Sequence, residues 1–182
     1  MERKNPMKEA EVSLRIALYY IRNNITKENV HVSIDGAHIK TKDTVHFDIW
    51  SFLKENSCQK IDGNNERWQG KYKIIGYEPE FEICSRPGIG DVRVVLTNNR
   101  ILCIESKKGT NKKGNTEYPL MREAIGQLMT TEYEDENIIP VVAVPYSAKS
   151  SELAARWSKY KKIIDANIHF MLVHENGEIY YI

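Results

Sequence analysis

The chain has 182 residues, 41% hydrophobic and 28% charged, enough to bury a sizeable core without disulfides and too ordinary for a disordered or collagen-like polymer. Its 26 basic and 25 acidic residues leave a net charge of +1, so it is no polycation that clings to nucleic acid over its whole surface. Nucleic-acid affinity would need basic residues gathered on one face, or a partner that supplies them.

No apolar run approaches the roughly 20 residues of a membrane span. The opening stretch, Met1-Glu2-Arg3-Lys4-Asn5-Pro6, lacks the apolar region of a signal peptide. Cys58, Cys84 and Cys103 are odd in number and scattered, forming neither a disulfide framework nor a zinc pattern. No membrane association and a reducing cytoplasm are therefore expected.

In chain order, the spacing of Ala10, Leu14, Ala17, Leu18 and Ile21 predicts an amphipathic helix over Met7 to Asn23, with Glu11 on the flank of its apolar stripe. Val30 to Ile34 and Ala37 to Thr41 read as a hairpin turning at Asp35-Gly36. Phe47, Trp50 and Leu53 suggest a short helix ending near Glu55, followed by a polar loop rich in Asn and Gly. Ile74 to Ile83 alternates, with Glu78, Glu80 and Glu82 on one face and Tyr77, Phe81 and Ile83 on the other. Pro79 inside that run suggests an edge strand or a bulge.

Two apolar strands, Asp91 to Leu96 and Ile101 to Lys107, flank Thr97-Asn98-Asn99-Arg100. A basic loop from Lys107 to Gly114 then leads to a helix over Pro119 to Tyr133. Ile138 to Val144 is a continuous apolar run, as in a strand buried on both faces. Ser150 to Ile164 reads as a helix, and Phe170 to Val173 and Glu178 to Ile182 as strands around Asn176-Gly177. The order implies an α/β (α+β) domain with a central mixed β-sheet between helices.

The chemistry concentrates at Glu105-Ser106-Lys107. Residues two apart on a strand share a face, so Glu105 and Lys107 project together while Leu102 and Ile104 face the core. Asp91 opens the preceding strand, after Pro87-Gly88-Ile89-Gly90. A strict two-residue loop at Asn98-Asn99 would set Asp91 opposite Ser106 and aim it away from Glu105. A three-residue loop, or a bulge, would set it opposite Glu105, and Asn accepts the left-handed conformation such a loop needs.

An Asp and a Glu-x-Lys on neighbouring strands are often only a salt bridge on a wet sheet face. Two carboxylates held side by side, however, repel unless a proton or a cation lies between them. Oxygen ligands with room for water suit Mg²⁺, with Mn²⁺ as a substitute. Such an ion polarises a phosphodiester oxygen, and Lys107 beside it could orient water or stabilise developing charge. Lys108, Lys112 and Lys113, in the loop that follows, could contact phosphate. No phosphate-cradling Gly-x-x-x-x-Gly-Lys-Ser/Thr loop is present, which argues against an NTPase.

Asp91, thirteen intervening residues, and then Glu105-Ser106-Lys107 on a hairpin, with a helix before and a helix and buried strand after, resembles the PD-(D/E)XK nuclease superfamily. The likeness runs from about Tyr77 to Val144, and Met7 to Asn23 matches the superfamily's leading helix. Gly90 stands where the motif's proline would be. The resemblance implies a restriction endonuclease-like core spanning 1–182 as one catalytic domain, with 27–72 as a hairpin and helix elaboration. It implies a Mg²⁺-dependent endonuclease on double-stranded DNA, with Asp91 and Glu105 as metal ligands and Lys107 as catalytic lysine. Glu11 becomes a further catalytic acid and Gln127 a phosphate or supporting contact.

More narrowly, the chain looks like the small catalytic subunits of heterodimeric type IIS restriction endonucleases, which nick one strand beside a larger DNA-recognition subunit. A homodimeric Holliday-junction resolvase, and a non-catalytic nucleic-acid- or protein-binding module on the same fold, are the alternatives.

Overall fold

The computed structural model describes residues 6–86, 90–110, 116–133, 135 and 137–182. The chain begins with α1 (Glu9–Arg22), whose first turn carries Glu9 and Glu11, charges that favour a helix N-terminus. The five residues of its expected stripe are buried, and so are Val12, Ile16 and Tyr20, because the helix is covered on more than one side.

β1 (Val30–Ser33) follows, but not as half of a hairpin. It pairs in parallel with β6 (Phe81–Cys84) and antiparallel with β7 (Val92–Val95). Asp35 does not turn a hairpin either: its side chain accepts from the Ala37 amide at 2.9 Å and caps the short helix α2 (Gly36–Ile39). An Asp-Gly pair serves both ends, and the capping use prevails here. β2 (Lys40–Thr41) and β3 (Thr44–Val45) form a separate two-stranded sheet. α3 (Ile49–Glu55) is capped by Asp48 and buries Ile49, Phe52 and Leu53.

The expected polar loop then contains β4 (Cys58–Asp62), which pairs antiparallel with β5 (Gly70–Ile74). The alternating run at 74–83 is divided: β5 ends at Ile74, a turn with a cis Glu78–Pro79 peptide follows, and β6 starts at Phe81. β6 is an interior strand, so Pro79 marks a turn and not a sheet edge.

The remaining elements are β8 (Ile101–Ser106), α4 (Glu117–Thr130), β9 (Ile138–Pro145), α5 (Ala148–Trp157), α6 (Lys161–Asp165), β10 (His169–Val173) and β11 (Ile179–Tyr181). Nine strands form one mixed sheet in the order β11-β10-β9-β8-β7-β1-β6-β5-β4. Parallel pairing of β8 with β9 and of β9 with β10 requires crossovers, supplied by α4 and by α5 with α6. Within 27–72, β1 thus lies inside the main sheet, whereas β2 and β3 lie apart from it.

Helices cover both faces of the sheet. One apolar cluster joins α1 to Val92, Val94, Leu102, Ile104, Val141 and Met171. The other joins Met121, Ala124 and Leu128 of α4 and Leu153 and Trp157 of α5 to Cys103, Val142, Val144 and Phe170. β9 therefore buries both of its faces, as its unbroken apolar run predicts. None of the three cysteines is in a disulfide, and no helix among the described residues is long and apolar enough to cross a membrane.

Candidate functional site

The loop joining β7 to β8 decides where Asp91 points. Val92 pairs with Ile104, Val94 with Leu102 and Val95 with Ile101. At the tip, the Leu96 amide donates to the Arg100 carbonyl at 2.8 Å, and Thr97, Asn98 and Asn99 form a three-residue loop with Asn99 at φ 65°. The paired register ends at Val92–Ile104, and the Asp91 amide also turns to the Ile104 carbonyl, so Asp91 enters the hairpin as a bulged residue beside Val92 and shares a cleft with Glu105. The odd loop and the left-handed asparagine are those the site requires.

Gly90 fixes the entry to that strand. Its φ is +77°, and a Cβ there would come within 2.9 Å of Cys103 Sγ and the Ile104 carbonyl. Only glycine lets the backbone lie so close over β8. The Asp91 amide donates to the Ile104 carbonyl at 2.8 Å, and Asp91 Oδ2 accepts from the Ser106 amide at 2.8 Å. The Ser106 amide thus holds the carboxylate, while the residue's own amide ties its backbone to β8. Pro87, Gly88 and Ile89 lie outside the described residues.

A cleft of about 380 Å³ opens here, lined by Ser33, Asp35, Ser85, Arg86, Asp91, Glu105 and Gln127 among others. Three of the sequence candidates, Asp91, Glu105 and Gln127, therefore share one cavity. Glu105 is 8% exposed and Lys107 only 3%. Burial pushes the Asp91 carboxyl up to about 6, against the Ser106 hydrogen bond, and the Glu9 charge adds to the rise. Burial, and then the Asp91 charge, push Glu105 up to about 7. For Lys107, burial favours the neutral amine, but Glu9, Glu123 and Asp91 outweigh it and raise the pKa. Its Nζ lies 3.1 Å from Glu123 Oε1.

Glu11 does not line this cleft. Its Oε1 accepts from Arg15 at 2.8 and 3.0 Å, and it lies 2% exposed beside that arginine. The α1 acid whose charge reaches Asp91, Glu105 and Lys107 is Glu9, which also lies 3.6 Å from His38 Nδ1. Two residues span about 200° of a helix, so Glu9 and Glu11 face nearly opposite ways. Neither Glu9 nor Glu123 carries a spacing signal in the sequence; they stand two residues from Glu11 and four from Gln127 on their helices.

Glu80 and Glu82 do not line the cleft, and Glu82 lies 3.4 Å from His31. Lys108 is exposed beside the site, while Lys112 and Lys113 lie outside the described residues. The basic end of α5 packs Trp157 against Tyr118 and Phe170, and Arg156 lies near Glu152.

Among the described residues, no three His, Cys, Asp or Glu side chains converge closely enough to enclose a metal ion by themselves. Asp91, half-buried, and Glu105, buried, nevertheless form an oxygen-only pair, mutually repelling and open to a cleft. Such a pair suits a hard divalent cation that keeps several waters. No protein family, curated protein or solved structure matches the chain.

Proposed function

We propose that the chain is a Mg²⁺-dependent DNA endonuclease with a PD-(D/E)XK-type site on a restriction endonuclease-like core. What supports this reading is that Asp91 and Glu105 line one cleft at the end of a hairpin closed by a three-residue loop, with Lys107 two residues beyond Glu105. A solvated surface salt bridge would not need two acids with raised pKa values facing one cleft, nor a glycine without room for a Cβ.

Asp91, oriented by the Ser106 amide, and Glu105 would hold the cation. Bound there, Mg²⁺ polarises a phosphodiester oxygen and lowers the pKa of its water. Lys107, kept charged by its acidic neighbours, would turn from Glu123 towards charge developing on the phosphate oxygens. Gln127 and Arg86, at the cleft wall, would position the strand. A net charge of +1 supports a nicking or restriction subunit that relies on a larger DNA-reading partner for affinity.

The test is cleavage of plasmid with Mg²⁺, by the chain alone and with lysate of its source. Asp91→Asn and Glu105→Gln should each reduce the rate by roughly 10³ or more, and Lys107→Met by roughly 10²–10³. Parent-like cutting by both acid variants would falsify the assignment.

A further inference from the structure

The C-terminal ends of the parallel strands beside the site carry an aromatic stack that the proposed chemistry does not use. Tyr146 and His174 lie ring on ring, with centroids 4.0 Å apart at 22°, and His174 lies 4.8 Å from Tyr180. Tyr146 and Tyr180 are 50% and 53% exposed. His174 Nε2 is buried without a hydrogen-bond partner among the described residues, so ring contacts hold the imidazole in place on that side.

The strand register ties this stack to the cleft. Glu105 pairs with Val142 of β9, and the Lys107 amide donates to the Ala143 carbonyl at 2.8 Å. Val142, Val144 and then Tyr146 follow one another on alternate positions, as do Phe170, Leu172 and then His174. Tyr180 stands opposite Leu172. All three rings therefore belong to the face that carries Glu105 and Lys107. The ladder continues past β9, since the Tyr146 amide donates to the Val173 carbonyl at 2.9 Å. Tyr146 thus lies four residues beyond Val142, ~13 Å along the strand. That is about four nucleotide steps at the ~3.4 Å spacing of stacked bases.

Between the two lies Lys108, exposed; the ring of Pro145 lies where a Cβ on Gly109 would meet it at 3.3 Å. An exposed lysine followed by exposed aromatic faces suits single-stranded nucleic acid, with the backbone on the cation and the bases on the rings. A base paired within a duplex has both faces covered by its neighbours and offers none to a tyrosine.

We infer that Tyr146 and Tyr180, braced by the His174 ring that contacts both, form a stacking platform for unpaired bases, and that the substrate is DNA with a single-stranded segment a few nucleotides from the scissile phosphate. The substrate clause rests on the nuclease reading; the platform does not.

The experiment measures fluorescence anisotropy of the full chain in EDTA, with a labelled oligothymidylate, an abasic strand of equal length and charge, and a duplex. The oligothymidylate should bind more tightly than either of the others. Tyr146→Ala and Tyr180→Ala should each weaken it roughly 5- to 100-fold, and Tyr146→Phe should restore it. Equal affinity for the abasic strand, no loss in either alanine variant, or no binding of the oligothymidylate overturns the platform. Because no divalent cation is present, an inactive protein that passes this test refutes only the nuclease reading. One that cuts DNA but fails it refutes only the platform.

Discussion

Asp91 and Glu105 are held in the protein at a cost to their ionised forms. Both carboxyls rise, to about 6 and about 7, from ordinary values of 3.8 and 4.5. Between about pH 4 and 7 the folded chain therefore binds more protons at these positions than the unfolded chain, so their contribution to stability falls as pH rises through that window. Glu105→Gln should raise the melting temperature of the metal-free protein at pH 8 and leave it nearly unchanged at pH 5, even as it abolishes cutting. Mg²⁺ should narrow the difference at pH 8. A melting difference that ignores pH would show that neither burial nor the neighbouring charge raises the Glu105 carboxyl.

Glu9 and Glu11 make a second comparison at this scale. Glu9→Gln should lower activity with little change in melting, because its charge acts on Asp91, Glu105 and Lys107. Glu11→Gln should instead cost stability, since it removes the buried partner of Arg15. Parallel thermal melts and cleavage assays separate the two. Asp91, Glu105 and Lys107 were legible because a strand repeats every two residues. The α1 acid was not, because its direction depends on how the helix is rolled against the sheet.

Among the elements, the β7–β8 loop carries the most consequence. Deleting Asn98 leaves a two-residue connection and moves the pairing by one, which aims Asp91 away from Glu105 or turns the valines out of the core. Cleavage should vanish, with a loss of roughly 2–5 kcal/mol in urea unfolding if the core residues turn. An active deletion variant would mean that the loop does not set the register. The sequence limited the connection to two or three residues, and the tolerance of Asn for positive φ pointed to the longer one.

Other elements were less legible for physical reasons. β4 reads Cys-Gln-Lys-Ile-Asp, a sheet-edge strand with little apolar alternation, so its pairing with β5 leaves no pattern in the residues. β1 forms no hairpin because its partners, β6 and β7, lie about fifty and sixty residues further along. Such long-range pairing leaves no local signal.

For the whole molecule, helices on both faces of a mixed sheet were legible from the order of elements, while the nine-strand arrangement was not. The unbroken apolar run at β9 has one more consequence. Its odd positions pack under α1 and its even positions under α4 and α5, so neither layer can detach without exposing the same strand. Amide deuterium uptake should therefore be slowest at 139–144 and in the facing half of β8, with protection equal to the global unfolding free energy. Uptake near the β2–β3 turn should be far quicker. Should 139–144 exchange ahead of global unfolding, the two layers would be separate cooperative units, and heat could silence the acid pair before the chain melts.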